Sequence, residues 1–78
     1  MSQFALNDSI KNEILQTLNE KAGKNPKHEA SLFTKQYGCK NENDDTIILD
    51  WLKTVSNIKE ATIRGHHYIS CTVIDVYK

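Results

Sequence analysis

Excess charge of either sign is the first thing this chain lacks. Ten Lys plus Arg stand against ten Asp plus Glu, for a formal net charge of zero. A domain whose affinity comes from neutralising many phosphates is ordinarily basic, so the balance argues against that class. Glycine (three) and proline (one) are scarce, which leaves no glycine-rich cofactor loop and no low-complexity segment. The two cysteines, Cys39 and Cys71, fall short of a disulfide framework and predict reduced thiols. No stretch reaches the roughly 18 apolar residues that a membrane span needs. Met1 to Asn7 carries neither a basic start nor an apolar run, which predicts no secretory signal and a soluble cytoplasmic protein. Seventy-eight residues make a single domain, and a chain of that size buries only about 60% of its unfolded surface, so its stability is marginal.

What is present is a change of hydrophobic period along the chain. Ile10, Ile14, Leu18 and Ala22 recur every four residues, with Leu15 beside them, which predicts a helix over about 8–22. Asn7, Asp8 or Ser9 can cap it, Phe4 and Leu6 can fold back as a staple, and Gly23 stands where a left-handed residue is expected. Asn25-Pro26 reads as a cap and first helical residue, predicting a second helix to about Tyr37 with Ala30, Phe33 and Tyr37 on one face and Leu32 to the side. Gly38 ends it, and residues 39–43 read as a loop.

Asp44 or Asp45 is placed to cap a third helix, Thr46 to Ser56, in which Ile47, Ile48, Trp51, Leu52 and Val55 keep helical spacing. Leu49 lies outside that stripe, so the helix is either central in the fold or committed in part to a partner. After Asn57 the pattern alternates. Ile69, Cys71 and Val73 share one strand face, which makes Cys71 a small core residue, while Tyr68, Ile74 and Val76 share the other. A three-residue loop, Arg64-Gly65-His66, pairs Ile63 with His67 and Ala61 with Ile69, with Gly65 or a neighbour at positive φ. The expected fold is therefore α+β: a three-helix unit followed by an antiparallel β-hairpin.

Three helices and a hairpin in that order resemble the winged-helix superfamily of helix-turn-helix proteins. The resemblance spans about Asp8 to Tyr77 and is one of topology, without a family motif. It implies a recognition helix at Thr46–Ser56 and a wing tip at Arg64, Gly65, His66 and His67. Departures accompany it. The turn from Gly38 to Asn43 exceeds the usual three to four residues, and the short strand that often follows the first helix is not evident. The front of the recognition helix carries Glu42, Asp44, Asp45 and then Asp50, with Lys53 its one basic residue; these acids repel a polyanion.

Candidate sites follow from these placements. At the hairpin tip Arg64, His66, His67 and Tyr68 can grip an acidic surface or stack on a ring, the bland alternative being an exposed turn. The acids Asp44 and Asp45 serve either as helix caps or as a docking front for a basic partner. Leu49, with Trp51, can anchor an interface, although a lone tryptophan at helical spacing more often belongs to the core. Lys21, Lys24 and Lys27, with Lys35, Lys53 and Arg64, form the set that would contact nucleic acid; the bland reading is solvated loops and helix ends. Neither C-x-x-C nor H-x-x-x-H spacing occurs, and a Cys39/His28 nucleophilic pair has no motif behind it, so no metal, cofactor or catalytic residue is expected. The reading is a small non-enzymatic module that binds another protein in a regulatory or adaptor role, with a DNA-binding transcriptional regulator as the alternative.

Overall fold

In a computed structural model of the protein, residues 4–74 are described. They hold two α-helices and three strands, in the order α1 (Asp8–Ala22), β1 (Glu29–Phe33), a 3-10 turn (Thr34–Tyr37), α2 (Glu42–Leu52), β2 (Ile58–Gly65) and β3 (Tyr68–Val73). The fold is α+β. The strands form one antiparallel sheet in the order β1-β3-β2. Both helices pack on one face of it, where Ile14, Leu18 and Ala22 of α1 and Ile48 and Leu52 of α2 meet Ala30, Leu32, Ile69, Cys71 and Val73. Burying one such aliphatic side chain contributes about 2 kcal/mol, so these contacts carry most of the stability. The other face bears a row of hydroxyls, Ser31 opposite Ser70 and Ser70 opposite Thr62, as a one-sided antiparallel sheet requires. No helix among the described residues is long and apolar enough to cross a membrane. Val76 and Tyr77 lie outside the described residues.

Helix α1 forms as its periodicity predicts. Asn7 accepts a hydrogen bond from the Ile10 backbone N–H at 2.9 Å, and Phe4 and Leu6 pack against the core. Its end differs. Gly23 keeps a right-handed φ of −62°, and the left-handed step falls five residues later, on His28 at φ 58°.

The expected second helix is replaced by a turn, a strand and a 3-10 turn, so there is no three-helix unit among the described residues. Asn25 and Pro26 favour a β-turn as readily as a helix start. Here the Asn25 side chain accepts from the Lys27 N–H at 2.9 Å and its carbonyl accepts from the His28 N–H at 2.9 Å. Past that turn, Ala30 and Leu32 enter the core while Ser31 and Phe33 face away. With two inward side chains in five residues, this segment gains a hydrogen-bonded ladder with β3 that a helix in its place would forgo. Gly38 ends the 3-10 turn in the left-handed region at φ 98°, as its position predicts.

Helix α2 starts earlier than expected. Asn41 is the cap, accepting from the Asp44 N–H at 3.0 Å, and the Asp44 carboxylate reaches back to the Lys40 N–H at 2.8 Å. Asn caps as well as Asp, and this start turns Asp45 inward. The helix stops at Leu52 rather than Ser56, where the Thr54 hydroxyl donates to the Trp51 carbonyl at 2.7 Å. The hairpin is antiparallel, but Ala61 faces Cys71 and Ile63 faces Ile69, with a bulge before Gly65. The turn is His66-His67, and His67 takes the positive φ of 55° that the sequence reading assigned to the glycine or its neighbour.

Candidate functional site

Why a histidine holds a left-handed position is answered by Asp45. From the first turns of α2 its carboxylate accepts from the His67 backbone N–H at 3.2 Å and from the ring Nδ1 at 2.9 Å. The Thr34 hydroxyl donates to the same Oδ1 at 2.5 Å. A carboxylate only accepts here, which assigns the ring proton to Nδ1. The Thr34 N–H donates in turn to the His67 carbonyl at 3.0 Å. Thr34, Asp45 and His67 are all buried, so this network clamps the 3-10 turn, α2 and the hairpin tip together. A left-handed non-glycine residue costs about 1–2 kcal/mol, which the charge-assisted bonds offset. Burial alone would raise the Asp45 pKa, but the Thr34 hydroxyl and then the His67 ring and backbone outweigh it and hold the carboxyl below its ordinary 3.8.

The clamp removes three residues from the expected contact surface. Asp45, His67 and Asp44 are 2%, 8% and 9% exposed, so neither acid forms an open docking front. Leu49 is half-buried against the core, as is Trp51, over whose ring the Lys11 ammonium sits at 5.8 Å. Tyr68 leaves the tip and stacks on Phe33 across the sheet, ring centroids 5.1 Å apart. Arg64 and His66 remain exposed at the tip. Two residues that the apolar stripes placed inward are open instead: Phe33 is 50% exposed and Ile47 on α2 is 42% exposed. Thr34 carried no signal in the sequence at all.

The lysines do not assemble into one face. Lys24 and Lys27 lie in the turn before β1, and Lys35 lies after it; five strand residues separate these ends by about 16 Å. Lys53 is at the far end of α2 from the Asp45 clamp. Lys21 donates to the Ser31 carbonyl at 3.1 Å and sits 5.4 Å from the Phe33 ring centre, covering the β1 edge.

Two open grooves flank the hairpin tip, with His66 in the wall of each. One, of about 540 Å³, lies between the α2 front and the hairpin and is lined by Glu42, Thr46, Ile63 and Arg64. The other, of about 570 Å³, lies between the hairpin and the 3-10 turn and is lined by Phe33, Lys35, Cys39, Lys40 and His67.

Neither cysteine is set up for nucleophilic chemistry. Both are buried and unpaired with each other. Cys39 is pushed up to about 11, first by burial and then by the Asp45 and Asp44 charges, against a smaller opposing hydrogen bond from Thr34. Cys71 is pushed up to about 11 by burial. His28 precedes β1 and Cys39 follows the 3-10 turn, so the chain's turns hold them at opposite ends of the strand. At pH 7.5 the thiolate fraction of each thiol is well under about one in a thousand. Ellman's reagent is therefore expected to label neither thiol of the folded chain within minutes and both in 8 M urea; fast labelling of Cys39 in buffer would contradict its burial. Among the described residues no group of three or more His, Cys, Asp and Glu could hold a metal ion.

No protein-family model matches the chain, and neither does any curated protein or any solved structure.

Proposed function

We propose that this chain is a winged-helix-like, non-catalytic module that binds another protein in a regulatory or adaptor role. The element order supports the fold part of the reading: a helix, a strand, a short 3-10 turn, a second helix and a hairpin, with β3 between β1 and β2. A winged helix whose middle helix is reduced to a 3-10 turn would have this order, including the strand after the first helix that the sequence did not reveal. The observation that carries the function is the solvent side of α2. It presents Glu42, Asn43, Thr46, Ile47 and Asp50, two acids and an exposed isoleucine with no cation before Lys53. Such a helix is repelled by phosphates and suits a protein surface, where Ile47 supplies buried area and Glu42, Asp50 and Arg64 supply steering and register. Free, buried thiols fit a reducing compartment such as the cytoplasm.

The second reading is a DNA-binding regulator, and what favours it is the exposed Arg64 and His66 at the wing position with Lys35 at the same end of β1. The two separate cleanly. Fluorescence anisotropy with random duplex DNA is expected to stay flat at 50 mM salt, where phosphate-driven binding is strong. Affinity capture from cell lysate is expected to retain a partner that Ile47→Asp and Arg64→Glu each release, with circular dichroism unchanged. Salt-sensitive DNA binding that Arg64→Glu abolishes would reverse the order of the two readings.

A further inference from the structure

We infer that the groove between the hairpin tip and the 3-10 turn is a docking site for an acidic linear segment of a partner protein, one that carries an apolar or aromatic side chain. The inference rests on the protein-binding reading and names a second surface and its ligand. Three observations carry it.

The first is charge. Lys35 and Lys40 are exposed on the walls, and none of the groove's lining residues is a carboxylate. Two carboxylates, Asp44 and Asp45, lie behind the lining and their charge reaches Cys39. Both are buried, so the charges an incoming chain meets at the surface are those of the lysines. In a chain of zero net charge this is a local cationic patch, and it lies across the tip from the groove that carries Glu42.

The second is the aromatic wall. Phe33 is half exposed yet fixed, with Tyr68 stacked on it and the Lys21 ammonium over its ring. The His66 and His67 rings lie 4.0 Å apart, and His67 cannot swing away because Asp45 holds it. An apolar side chain entering here meets pre-ordered rings, and little rotamer entropy remains to be lost on the protein's side.

The third is size. About 570 Å³ is within the range of pockets that seat a small ligand or a few side chains. A linear segment can fill such a groove with one or two side chains while its neighbouring carboxylates stay within reach of both lysines. Carboxylates on that segment would pair with Lys35 and Lys40 while its apolar side chain lies against Phe33. Single-stranded nucleic acid also combines rings with negative charge. It is the poorer occupant, because two lysines release few counterions.

The test is to pan a random dodecapeptide phage library on the full chain. The expected outcome is enrichment of peptides with two or more Asp or Glu next to Leu, Phe, Tyr or Trp. A fluorescein-labelled peptide from that set should bind at least about thirtyfold more weakly to the Lys35→Glu/Lys40→Glu variant. Its affinity should stay within about twofold in Glu42→Lys, which alters the other groove. Both lysines are exposed, so an unchanged circular dichroism spectrum is expected for the double variant, and Phe33→Ser gives a charge-independent second check. Enriched peptides without acids, or binding that ignores both groove variants, overturn the assignment. If such peptides are instead released by Ile47→Asp, the protein-binding reading survives and only this groove is wrong. If no peptide enriches, the assignment also falls; binding of a labelled oligo(dT) that the double lysine variant abolishes would then overturn the protein-binding reading with it.

Discussion

Asp45→Ala is expected to destabilise the folded chain by about 3–5 kcal/mol, the cost of taking the shared charged acceptor from three buried donors at about 1–3 kcal/mol each, less what relaxation recovers. The loss leaves the Thr34 hydroxyl, the His67 N–H and the His67 ring nitrogen without their acceptor. It also leaves His67 in the left-handed region with only the Thr34 N–H bond to its carbonyl to hold it there. A domain of this length has only about 4–12 kcal/mol in all, so the variant should be largely unfolded near 37 °C. Urea titration followed by circular dichroism measures it, and a loss below about 0.5 kcal/mol would show that the clamp is ornamental. Asp45→Asn should fall between, since the amide oxygen still accepts one bond while its NH₂ meets donors.

The same network sets a pH dependence whose sign can be worked out. The Asp45 carboxyl is held below its ordinary 3.8 in the folded chain, as burial, which opposes this, is outweighed by the bonds from Thr34 and His67. Below that ordinary value the unfolded chain therefore binds more protons than the folded one, so stability rises with pH across this window. The contribution is present in full above about pH 5 and is lost as pH falls through about 4 towards the folded value. The gap in urea midpoint between wild type and Asp45→Asn should accordingly be wide at pH 7 and narrow at pH 3. A gap that widens with acid would refute the assignment of Asp45 as the ionised acceptor.

Leu32→Ala should cost about 2–5 kcal/mol, and its neighbour Phe33→Ala under about 1 kcal/mol. In a helix, the spacing of Ala30, Phe33 and Tyr37 makes Phe33 the buried residue and Leu32 the lateral one. In the strand the order inverts. Leu32 is fully buried opposite Ile69, whereas Phe33 is half exposed opposite Tyr68. The Leu32 cavity would open at the centre of the core, between α1 and the sheet. Thermal melts of the two variants decide between helix and strand without any further structure: a phenylalanine variant less stable than the leucine variant would restore the helix.

That inversion shows where local pattern stops being informative. Ala30-Ser31-Leu32-Phe33 is compatible with both periods over so few residues, and strand and helix differ only through the partner that β3 supplies. The hairpin shows the same limit. Its existence follows from the alternation of Ile69, Cys71 and Val73, but its register does not. The register depends on His67 adopting a left-handed turn, and that conformation is held by an aspartate 22 residues away. Gly65 had the better intrinsic claim to positive φ, and a tertiary hydrogen bond overrode it.

The candidate surfaces divide along the same line. Arg64 and His66 are at the tip because any hairpin there exposes its turn, and that is legible in the sequence. Asp44 and Asp45 looked like an acidic front because a helix beginning at Thr46 puts them outside it. With the cap on Asn41 they enter the first turns, where 100° per residue rotates Asp45 into the core. Phe33 and Lys40 could not be linked from sequence, because the groove that joins them is closed by a hairpin more than twenty residues downstream. By itself the sequence determined α1, the inward Ile48 and Leu52 of α2, the inward face of β3 and the absence of a phosphate-binding charge excess, since each rests on spacing or composition. The tertiary structure alone decided the strand identity of 29–33, the hairpin register, the clamp on His67 and the basic groove. Each of these depends on contacts between segments far apart in the chain, whose free energies of a few kcal/mol exceed the local preferences they override.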